Sequence, residues 1–217
     1  MHLQPVHTGW IEIICGSMFS GKTEELIRRL RRAIIARQSV QCFKPARDDR
    51  YATEAIVTHA GVSLESRPVV RAAEVLAQLK PDAQVVGIDE AQFFDDEITA
   101  VAEYLANEGK RVICAGLDLD WRAEPFGPMP LLITKAEYVT KMLAICVVCG
   151  NPANRSYRLT DEESQVLVGS HGHYEPRCRR CYAEGSAARS RQQALRSAAA
   201  HHAHPTHVSR GATTDVG

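Results

Sequence analysis

The sequence predicts an α/β protein with a mostly parallel sheet, helices on both faces of that sheet, and a small metal-binding domain after it. Three observations support this fold class. Short apolar runs alternate with amphipathic helical patterns up to residue 141. A glycine-rich loop joins the first run to the first helix, and two C-x-x-C pairs then replace the alternation. A chain of 217 residues has room for one substantial core and one small satellite.

Four apolar runs are predicted to be strands covered on both faces. They are residues 10–15, 40–44, 84–89 and 111–116. Helical patterns fill the gaps, most clearly over residues 71–79 and 96–107, with Gly109 placed to end the second helix. Strands that alternate with helices favour a parallel sheet connected by right-handed crossovers.

Composition excludes several classes of protein. Lys plus Arg equals Asp plus Glu at 26 each, so no global field draws the protein to nucleic acid or to an anionic membrane. No apolar run approaches the ~18 residues of a membrane span, and residues 1–9 lack the layout of a secretory signal. We therefore expect a cytoplasmic protein that binds neither nucleic acid nor membrane.

The seven cysteines divide into two groups. Four form the C-x-x-C pairs, which favours metal ligation in a reducing compartment over a disulfide framework. Cys15, Cys42 and Cys114 lie within apolar runs and are expected to be small buried hydrophobic residues.

The segment GSMFSGKT fits the phosphate-loop pattern G-x-x-x-x-G-K-[ST], with a strand before it and a helix after it. Its residues are Gly16, Ser17, Met18, Phe19, Ser20, Gly21, Lys22 and Thr23. Backbone N–H groups and the helix N-terminus suit phosphate oxygens, Lys22 adds positive charge, and Thr23 offers a hydroxyl to Mg²⁺. The bulky Met18 and Phe19 either face a second ligand or pack beneath the loop.

The third predicted strand delivers Asp89 and Glu90 at its carboxyl end, where ligands bind in open α/β sheets. Asp89 suits the second carboxylate near Mg²⁺. Glu90 is placed to take a proton from an attacking hydroxyl or water. Asp95 and Asp96 are instead expected to cap the next helix.

Cys146, Cys149, Cys178 and Cys181 enclose residues 150–177, a longer interval than the ~15 to 20 residues of a typical zinc ribbon. Four thiolates suit a closed, tetrahedral and therefore structural Zn²⁺ site. The alternative is a pair of redox dithiols. The enclosed segment, called the lasso loop here, is polar with an apolar patch at residues 166–168, so it is suited to lie over a ligand.

The predicted domain organisation has four parts. Residues 1–9 are a tail, 10–141 a nucleotide-binding domain, 142–182 the zinc domain with the lasso loop, and 183–217 a second tail. The last part has few large aliphatic residues and is expected to be disordered.

These motifs, in this order, resemble the cellular (type II) thymidine kinases. The marks are GSMFSGKT, KPARDDRY (residues 44–51), IDEAQFF (residues 88–94), LDLDW with PFG (residues 117–127), and the cysteine pairs. The resemblance runs from about residue 10 to residue 182. It implies a RecA-like P-loop domain and a zinc domain that carries a lasso loop. It further implies transfer of the ATP γ-phosphate to the 5′-hydroxyl of thymidine, with deoxyuridine as a further acceptor, in nucleotide salvage.

The resemblance also implies roles for individual residues. Glu90 is the catalytic base, and Thr23 and Asp89 hold Mg²⁺. Asp48, Arg50 and Gln92 join the phosphate loop in binding ATP. The thymine-binding residues are Met18, Phe93, Leu117 and Trp121, with Ser156, Leu167, Gly169 and Tyr174 from the lasso loop. A homotetramer with feedback inhibition by thymidine triphosphate is implied as well.

Three positions depart from the family pattern. Trp121 stands where phenylalanine is usual, Ser17 where proline is common, and Ser156 where threonine is frequent. The indole either narrows the pocket and shifts preference among thymidine, deoxyuridine and analogues, or leaves selectivity intact if backbone groups anchor the base.

Two other classes of function share some of these motifs. A RecA-like ATPase or switch protein would use the same phosphate loop and carboxylates, but it needs no walled pocket for a small acceptor. A nucleic-acid-binding zinc ribbon attached to an ATPase would use Arg177, Arg179 and Arg180, but three arginines form only a small patch on a chain without net charge.

Overall fold

The computed structural model describes residues 8–46, 55–57, 63–162, 164–165 and 172–202. Its strands, in chain order, are β1 (Trp10–Gly16), β2 (Val40–Pro45), β3 (Ala55–Val57), β4 (Ser63–Glu65), β5 (Arg67–Val69), β6 (Val85–Ile88), β7 (Arg111–Gly116), β8 (Tyr138–Met142), β9 (Ala144–Ile145), β10 (Pro152–Ala153), β11 (Arg155–Arg158) and β12 (Tyr174–Arg177). Its helices are α1 (Lys22–Ile35), α2 (Ala73–Gln78), α3 (Glu97–Asn107), α4 (Met129–Lys135) and α5 (Arg179–His202).

Six strands form one sheet in the order β5-β2-β6-β7-β1-β8, and every neighbouring pair is parallel. The four predicted strands are the four central ones, β2, β6, β7 and β1. The sequence patterns missed the two edge strands. β5 is three residues long and contains Pro68, and β8 is only half-buried along its length, so neither is a continuous apolar run.

Helices cover both faces of this sheet, as the fold class predicted. On one face, α1 packs Leu26, Ile27 and Leu30 against a layer that includes Ile14 and Ile113. On the other face, α2, α3 and α4 enclose the larger core cluster. Cys15, Cys42 and Cys114 are buried in these layers as free thiols, so their predicted packing role is confirmed.

The two predicted helices are present as α2 and α3. Gly109 follows the end of α3 with a φ of +79°, which suits its predicted role as the residue that ends the helix. The cap predictions were wrong in detail. Asp96 occupies the N-cap position of α3 without a side-chain cap hydrogen bond, and Asp95 instead accepts from the N–H of Ala72 at 3.3 Å.

A small unit follows the last strand of the sheet. It consists of the antiparallel pairs β9–β10 and β11–β12. Its core is the cysteine cluster together with Ala144 and Ala153. This core has few aliphatic side chains, so a metal ion held by the cysteines would contribute much of the stability of the unit.

Residues 179–202 form helix α5, whereas a disordered tail was expected from residue 183. The composition argument considered only burial, but alanine also has the highest intrinsic helix propensity. The helix packs on the small unit at Gly185, where an added Cβ would lie 3.1 Å from the Tyr157 ring. Residues 203–217 lie outside the described part of the chain. Among the helices that are described, none is long and apolar enough to cross a membrane.

Candidate active site

The phosphate loop connects β1 to α1 at the carboxyl edge of the sheet. Gly16 has a φ of +146°, and an added Cβ would lie 2.2 Å from the carbonyl oxygen of Met142, so only glycine fits there. Lys22 is the first residue of α1, and its Nζ donates to the carbonyl oxygen of Ser17 at 2.8 Å. Ser20 Oγ donates to the same carbonyl oxygen at 2.8 Å. These bonds hold the loop in the curved form that a phosphate cradle requires.

Three carboxylates share the electrostatic environment of Lys22. Burial lowers the pKa of Lys22, and Glu90, Asp89 and Asp118 oppose that lowering. The opposition means that the negative groups lie close enough to stabilise the ammonium. The predicted cation of the phosphate loop and the predicted strand-end carboxylates therefore do meet at one sheet edge.

Asp89 is buried at the end of β6 and lies against the start of α1. Thr23 Oγ1 donates to Asp89 Oδ2 at 3.4 Å. Burial, and then the neighbouring Glu90 carboxylate, raise the pKa of Asp89 to about 7. A hydroxyl and a carboxylate are ligand types that Mg²⁺ prefers, so the two side chains fit a magnesium site.

Glu90 follows directly and is exposed, with a φ of +52°. A 3₁₀ turn, Ala91–Phe93, begins after it. The buried Gln92 side chain donates from Nε2 to Glu90 Oε2 and accepts from the N–H of Leu117 at 2.9 Å through Oε1. Sequence reasoning had assigned Gln92 only to nucleotide binding, whereas this bridge links Glu90 to the loop after β7.

Apolar and aromatic side chains occur in the segments next to Glu90 and in the loop after β7. Phe93 packs edge-on against Phe126, with ring centroids 5.4 Å apart. Phe126 was not singled out by the sequence analysis, although it lies in the quoted PFG segment. Trp121 and Leu117 are half-buried in the loop after β7. Of the predicted thymine contacts, Leu117 is thus linked to Glu90 through the Gln92 side chain.

The small unit touches the phosphate loop directly. Ser17 Oγ donates to the carbonyl oxygen of Ala153 at 3.3 Å, and the N–H of Met18 donates to Ser156 Oγ at 3.0 Å. Ser156 was expected to contact the nucleoside, and the structure shows it bonded to the phosphate loop.

Phe19 is 38% exposed and Met18 half-buried, so the Phe19 ring is not packed beneath the loop.

An ion pair that the sequence analysis did not identify lies beside the phosphate loop. Lys141 Nζ on β8 is 2.7 Å from Asp118 Oδ2. Asp118 is buried, and its Oδ1 has no hydrogen-bond partner within the described ranges. The repeated acidic residues of LDLDW were the available sequence signal, but both Asp118 and Asp120 are buried, and only their different partners in the structure separate their roles.

Asp120 shapes the loop that carries Trp121. Its Oδ1 accepts from the N–H groups of Arg122 and Glu124 at 2.8 and 3.1 Å. The carbonyl oxygen of Trp121 accepts from the Tyr182 hydroxyl at 2.8 Å. Since Tyr182 directly follows Cys181, the small unit also supports this side of the site.

The four cysteines of the two C-x-x-C pairs converge as predicted. Their Sγ atoms all lie within 4.8 Å of one another, and Cys149 Sγ is 3.6 Å from Cys178 Sγ. The backbone at Asn151 lowers the pKa of Cys149 to about 6, which favours a thiolate. Four converging sulfurs fit a closed tetrahedral Zn²⁺ site, and the predicted structural zinc is compatible with this cluster.

Several predicted site residues lie outside the described part of the chain. These are Asp48 and Arg50 of the segment after β2, and Leu167 and Gly169 of the lasso loop.

A family model and a curated relative both identify this chain as similar to thymidine kinases. The family model described as thymidine kinase matches residues 9–182. A curated protein named thymidine kinase, from Rhodothermus sp. (strain ITI 518), is 60% identical over 174 residues, which are 80% of this chain and 81% of that protein. The crystal structure of the flagellar accessory protein FlaH from Methanocaldococcus jannaschii is similar at a TM-score of 0.46 and 14% identity, over 79% of this chain and 88% of that one. That last likeness is too distant to support an argument about function.

Proposed function

The chain belongs to the thymidine kinase family, and from that premise we propose that it transfers the γ-phosphate of ATP to the 5′-hydroxyl of thymidine. The products are ADP and thymidine monophosphate, as needed for salvage of the nucleoside into DNA synthesis. One observation carries the proposal. The phosphate loop with Lys22, the Thr23–Asp89 pair and Glu90 meet at one edge of the parallel sheet.

The phosphate loop binds the triphosphate of ATP. Backbone N–H groups of residues 16–23 and the Lys22 ammonium neutralise phosphate charge, and Lys22 leaves its bond to the Ser17 carbonyl to do so. Thr23 and Asp89 would hold Mg²⁺, which would supply positive charge to the phosphate oxygens when bound. We also assign Asp48 and Arg50 to phosphate binding, on the family resemblance alone.

Glu90 accepts the proton of the thymidine 5′-hydroxyl. A bond forms between the 5′-oxygen and the γ-phosphorus while the bond from that phosphorus to the bridging oxygen of ADP breaks. The charge of ADP stays within the phosphate loop. Gln92 supports this role, because it holds one oxygen of Glu90 and leaves the other available to the hydroxyl.

The thymine base lies in an apolar pocket with few polar anchors, as small-molecule sites usually have. We assign this pocket to Met18, Phe93, Leu117, Trp121, Ser156, Leu167, Gly169 and Tyr174. Deoxyuridine differs from thymidine by one methyl group, so we propose it as a weaker acceptor.

Further proposals concern the whole protein. We assign residues 10–141 to the nucleotide-binding domain, 142–182 to a zinc-stabilised domain, and the cytoplasm as the location. A homotetramer inhibited by thymidine triphosphate is proposed from the family resemblance. Light scattering of the purified protein and inhibition assays with that nucleotide test these two points separately.

The decisive experiment is a radiochemical screen of nucleosides with ATP and the purified full chain. We expect phosphate transfer to thymidine and ADP formation that depends on thymidine. A RecA-like ATPase or motor would instead turn over ATP equally with and without nucleoside, and that result would overturn the proposal. A salt-sensitive gel shift with DNA would favour the nucleic-acid-binding alternative.

A further inference from the structure

Arg158 is the largest fully buried side chain of the described residues, with 1% of its surface exposed. It lies at the end of β11, two residues after Ser156, in the small unit that flanks the candidate nucleoside pocket. An arginine is seldom fully buried unless its guanidinium donors are satisfied. The groups that accept hydrogen bonds from Arg158 therefore indicate its structural role.

The guanidinium binds two separate parts of the lasso loop, one that includes Glu162 and one that includes Tyr174. Nη1 donates to the carbonyl oxygens of Glu162, at 2.8 Å, and Ser164. Nη2 donates to the carbonyl oxygen of Gln165 at 3.2 Å, and the Tyr174 hydroxyl accepts from Nη2 and Nε. One planar side chain thus joins the carbonyl groups of Glu162, Ser164 and Gln165 to the Tyr174 hydroxyl.

The same guanidinium stacks on two aromatic rings. Its central carbon is 4.3 Å from the centroid of the Trp121 ring and 5.1 Å from that of the Tyr174 ring. Cation–π contact of this kind is favourable and strengthens when water is excluded. Arg158 therefore fixes the position of Trp121 relative to Tyr174, and both residues are proposed pocket walls.

We propose that Arg158 is a positioning residue for the nucleoside pocket, which sets thymidine affinity by holding Trp121, Tyr174 and the carbonyl groups of Glu162, Ser164 and Gln165 in one assembly. This inference rests on the proposed function. The assembly does not include the phosphate loop, whose bonds to the small unit are made by Ala153 and Ser156. Loss of Arg158 is thus expected to weaken nucleoside binding and to leave ATP binding unchanged.

Lysine cannot replace this side chain. Its ammonium carries three donors at a single point, whereas the guanidinium presents five donors in a plane that also stacks on rings. The Arg158→Lys variant keeps the positive charge and much of the volume, so it tests geometry rather than charge.

The experiment starts with the wild-type protein, for which thymidine-dependent ADP formation must first be established. Absence of that activity would contradict the proposed function and is separate from the test of Arg158. In the Arg158→Lys variant we expect the KM for thymidine to rise ~10- to 100-fold, equivalent to about 1.4 to 2.8 kcal/mol, with the KM for ATP within about twofold of wild type. Arg155→Lys is the matched control, because Arg155 lies on the same strand and, among the described residues, its guanidinium donates one hydrogen bond, from Nη1 to the carbonyl oxygen of the adjacent Asn154 at 3.2 Å.

If Arg158 only stabilised the fold, the KM values for thymidine and ATP would respond differently from this expectation. An equal rise of both KM values, or no change in either, would overturn the proposal. The Tyr174→Phe variant removes the hydroxyl that accepts from Arg158 and should also raise the KM for thymidine. If the two residues act through their shared contact, the rise in the KM for thymidine in the Arg158→Lys/Tyr174→Phe double variant should be smaller than the product of the two single-variant rises. A rise equal to that product would contradict the contact.

A spectroscopic readout covers the case in which Arg158→Lys fails to fold. The chain has two tryptophans, so Trp10→Phe leaves Trp121 as the single indole. In that background Tyr174→Phe should shift the Trp121 emission and weaken its response to thymidine. Unchanged emission and response would contradict the proposed assembly.

Discussion

At the residue scale, Glu90 adopts a backbone conformation that few non-glycine residues adopt. Its φ of 52° and ψ of 41° lie in the left-handed region, which costs roughly 1 to 2 kcal/mol for a residue with a Cβ. The N–H of Phe93 bonds the Glu90 carbonyl at 3.0 Å, and the Gln92 amide holds the carboxylate. Such strain is concentrated at functional sites, which agrees with the assignment of Glu90 as the base.

The first prediction is that Glu90→Gln slows phosphate transfer by roughly 10² to 10⁴, the usual contribution of a general base. ATP binding should stay nearly intact, because the phosphate loop is untouched. Single-turnover kinetics and ATP titration measure the two quantities. Glu97→Gln, at the exposed start of α3, is the control, and near-normal turnover of Glu90→Gln would assign the base elsewhere.

The second prediction compares two glycines with positive φ. Gly127→Ala and Gly109→Ala both impose a left-handed conformation on alanine, at roughly 1 to 2 kcal/mol. At Gly109 the new Cβ meets nothing within 4 Å, but at Gly127 it would lie 2.4 Å from the Gln92 carbonyl oxygen. We expect both variants to lose stability in denaturant titration, and Gly127→Ala alone to lose turnover, because its Cβ displaces the turn that carries Gln92.

Equal turnover in the two glycine variants would show that the position of Gln92 does not matter to catalysis. A loss of turnover in Gly109→Ala would instead show that general destabilisation explains the effect.

Residue types at the site were predictable where a motif prescribes them. The phosphate loop, Asp89, Glu90 and the four cysteines follow patterns whose chemistry requires those residues at those spacings. The bridge made by Gln92 and the burial of Arg158 were not predictable, because Gln92 contacts Leu117 and Arg158 contacts Trp121, and each contact joins different segments of the chain. An arginine in a polar loop is ordinarily exposed, so sequence alone indicated nothing unusual about Arg158.

At the scale of elements, a carboxylate on β1 joins three parts of the sheet layer. Glu12 is buried and accepts from Arg29 of α1 at 2.7 Å, Arg111 of β7 at 2.6 Å and the Trp10 indole at 2.8 Å. Burial alone would raise the pKa of Glu12, but the hydrogen bonds from Arg111, Trp10 and Arg29 outweigh it and leave the pKa lowered. The ionised form therefore stabilises the folded state.

The third prediction is that Glu12→Gln lowers the free energy of unfolding by about 3 kcal/mol near pH 7, since it leaves the partly buried Arg111 without its carboxylate and Arg29 with Glu25 alone. The contribution of Glu12 is fully present above the ordinary glutamate pKa of about 4.3. It is lost as the pH falls through the lowered pKa of the folded state, so the two proteins should converge in acid. Denaturant titrations across pH measure this, with the exposed Glu108→Gln as control.

A constant difference between wild type and Glu12→Gln at all pH values would contradict this electrostatic explanation and would favour a packing defect.

Central elements were more predictable than peripheral ones. The strands β1, β2, β6 and β7 lie at the centre of the sheet and are largely buried, so their sequences are mostly apolar. β5, β8 and α5 lie at the margins, where burial is partial and a hydrophobic pattern is weak. In α5 the intrinsic propensity of alanine takes the place of that pattern.

At the scale of the whole molecule, the cysteine cluster is connected to Trp121, a residue of the proposed nucleoside pocket, through the hydroxyl of the adjacent Tyr182. The fourth prediction is that removal of zinc by chelation raises the KM for thymidine before the α/β core unfolds, because that core has its own apolar layers. Steady-state kinetics and circular dichroism, followed by re-addition of zinc, measure both effects. An unchanged KM for thymidine in verified metal-free protein would show that the small unit does not contribute to nucleoside binding.

The overall architecture was predictable because the parallel sheet and the small unit have different sequence patterns. Apolar runs that alternate with helical patterns predict the sheet, and paired cysteines predict a small metal-binding unit. How the two units meet was not predictable. Ser17 bonds the Ala153 carbonyl through a hydroxyl where a proline would have none, and no periodicity in the sequence indicates that contact.

The two hydrogen bonds between the phosphate loop and the small unit have a consequence for protein engineering. Ser17 to Ala153 and Met18 to Ser156 form a matched seam. A chimaera that carries a phosphate loop with proline at position 17 would lose the first bond, because proline has no hydroxyl to donate to the Ala153 carbonyl. It would keep the second bond, which needs only the N–H of residue 18 and a hydroxyl at position 156, 138 residues further along the chain. A successful graft of the small unit should therefore retain Ser17 and a hydroxyl-bearing residue at position 156.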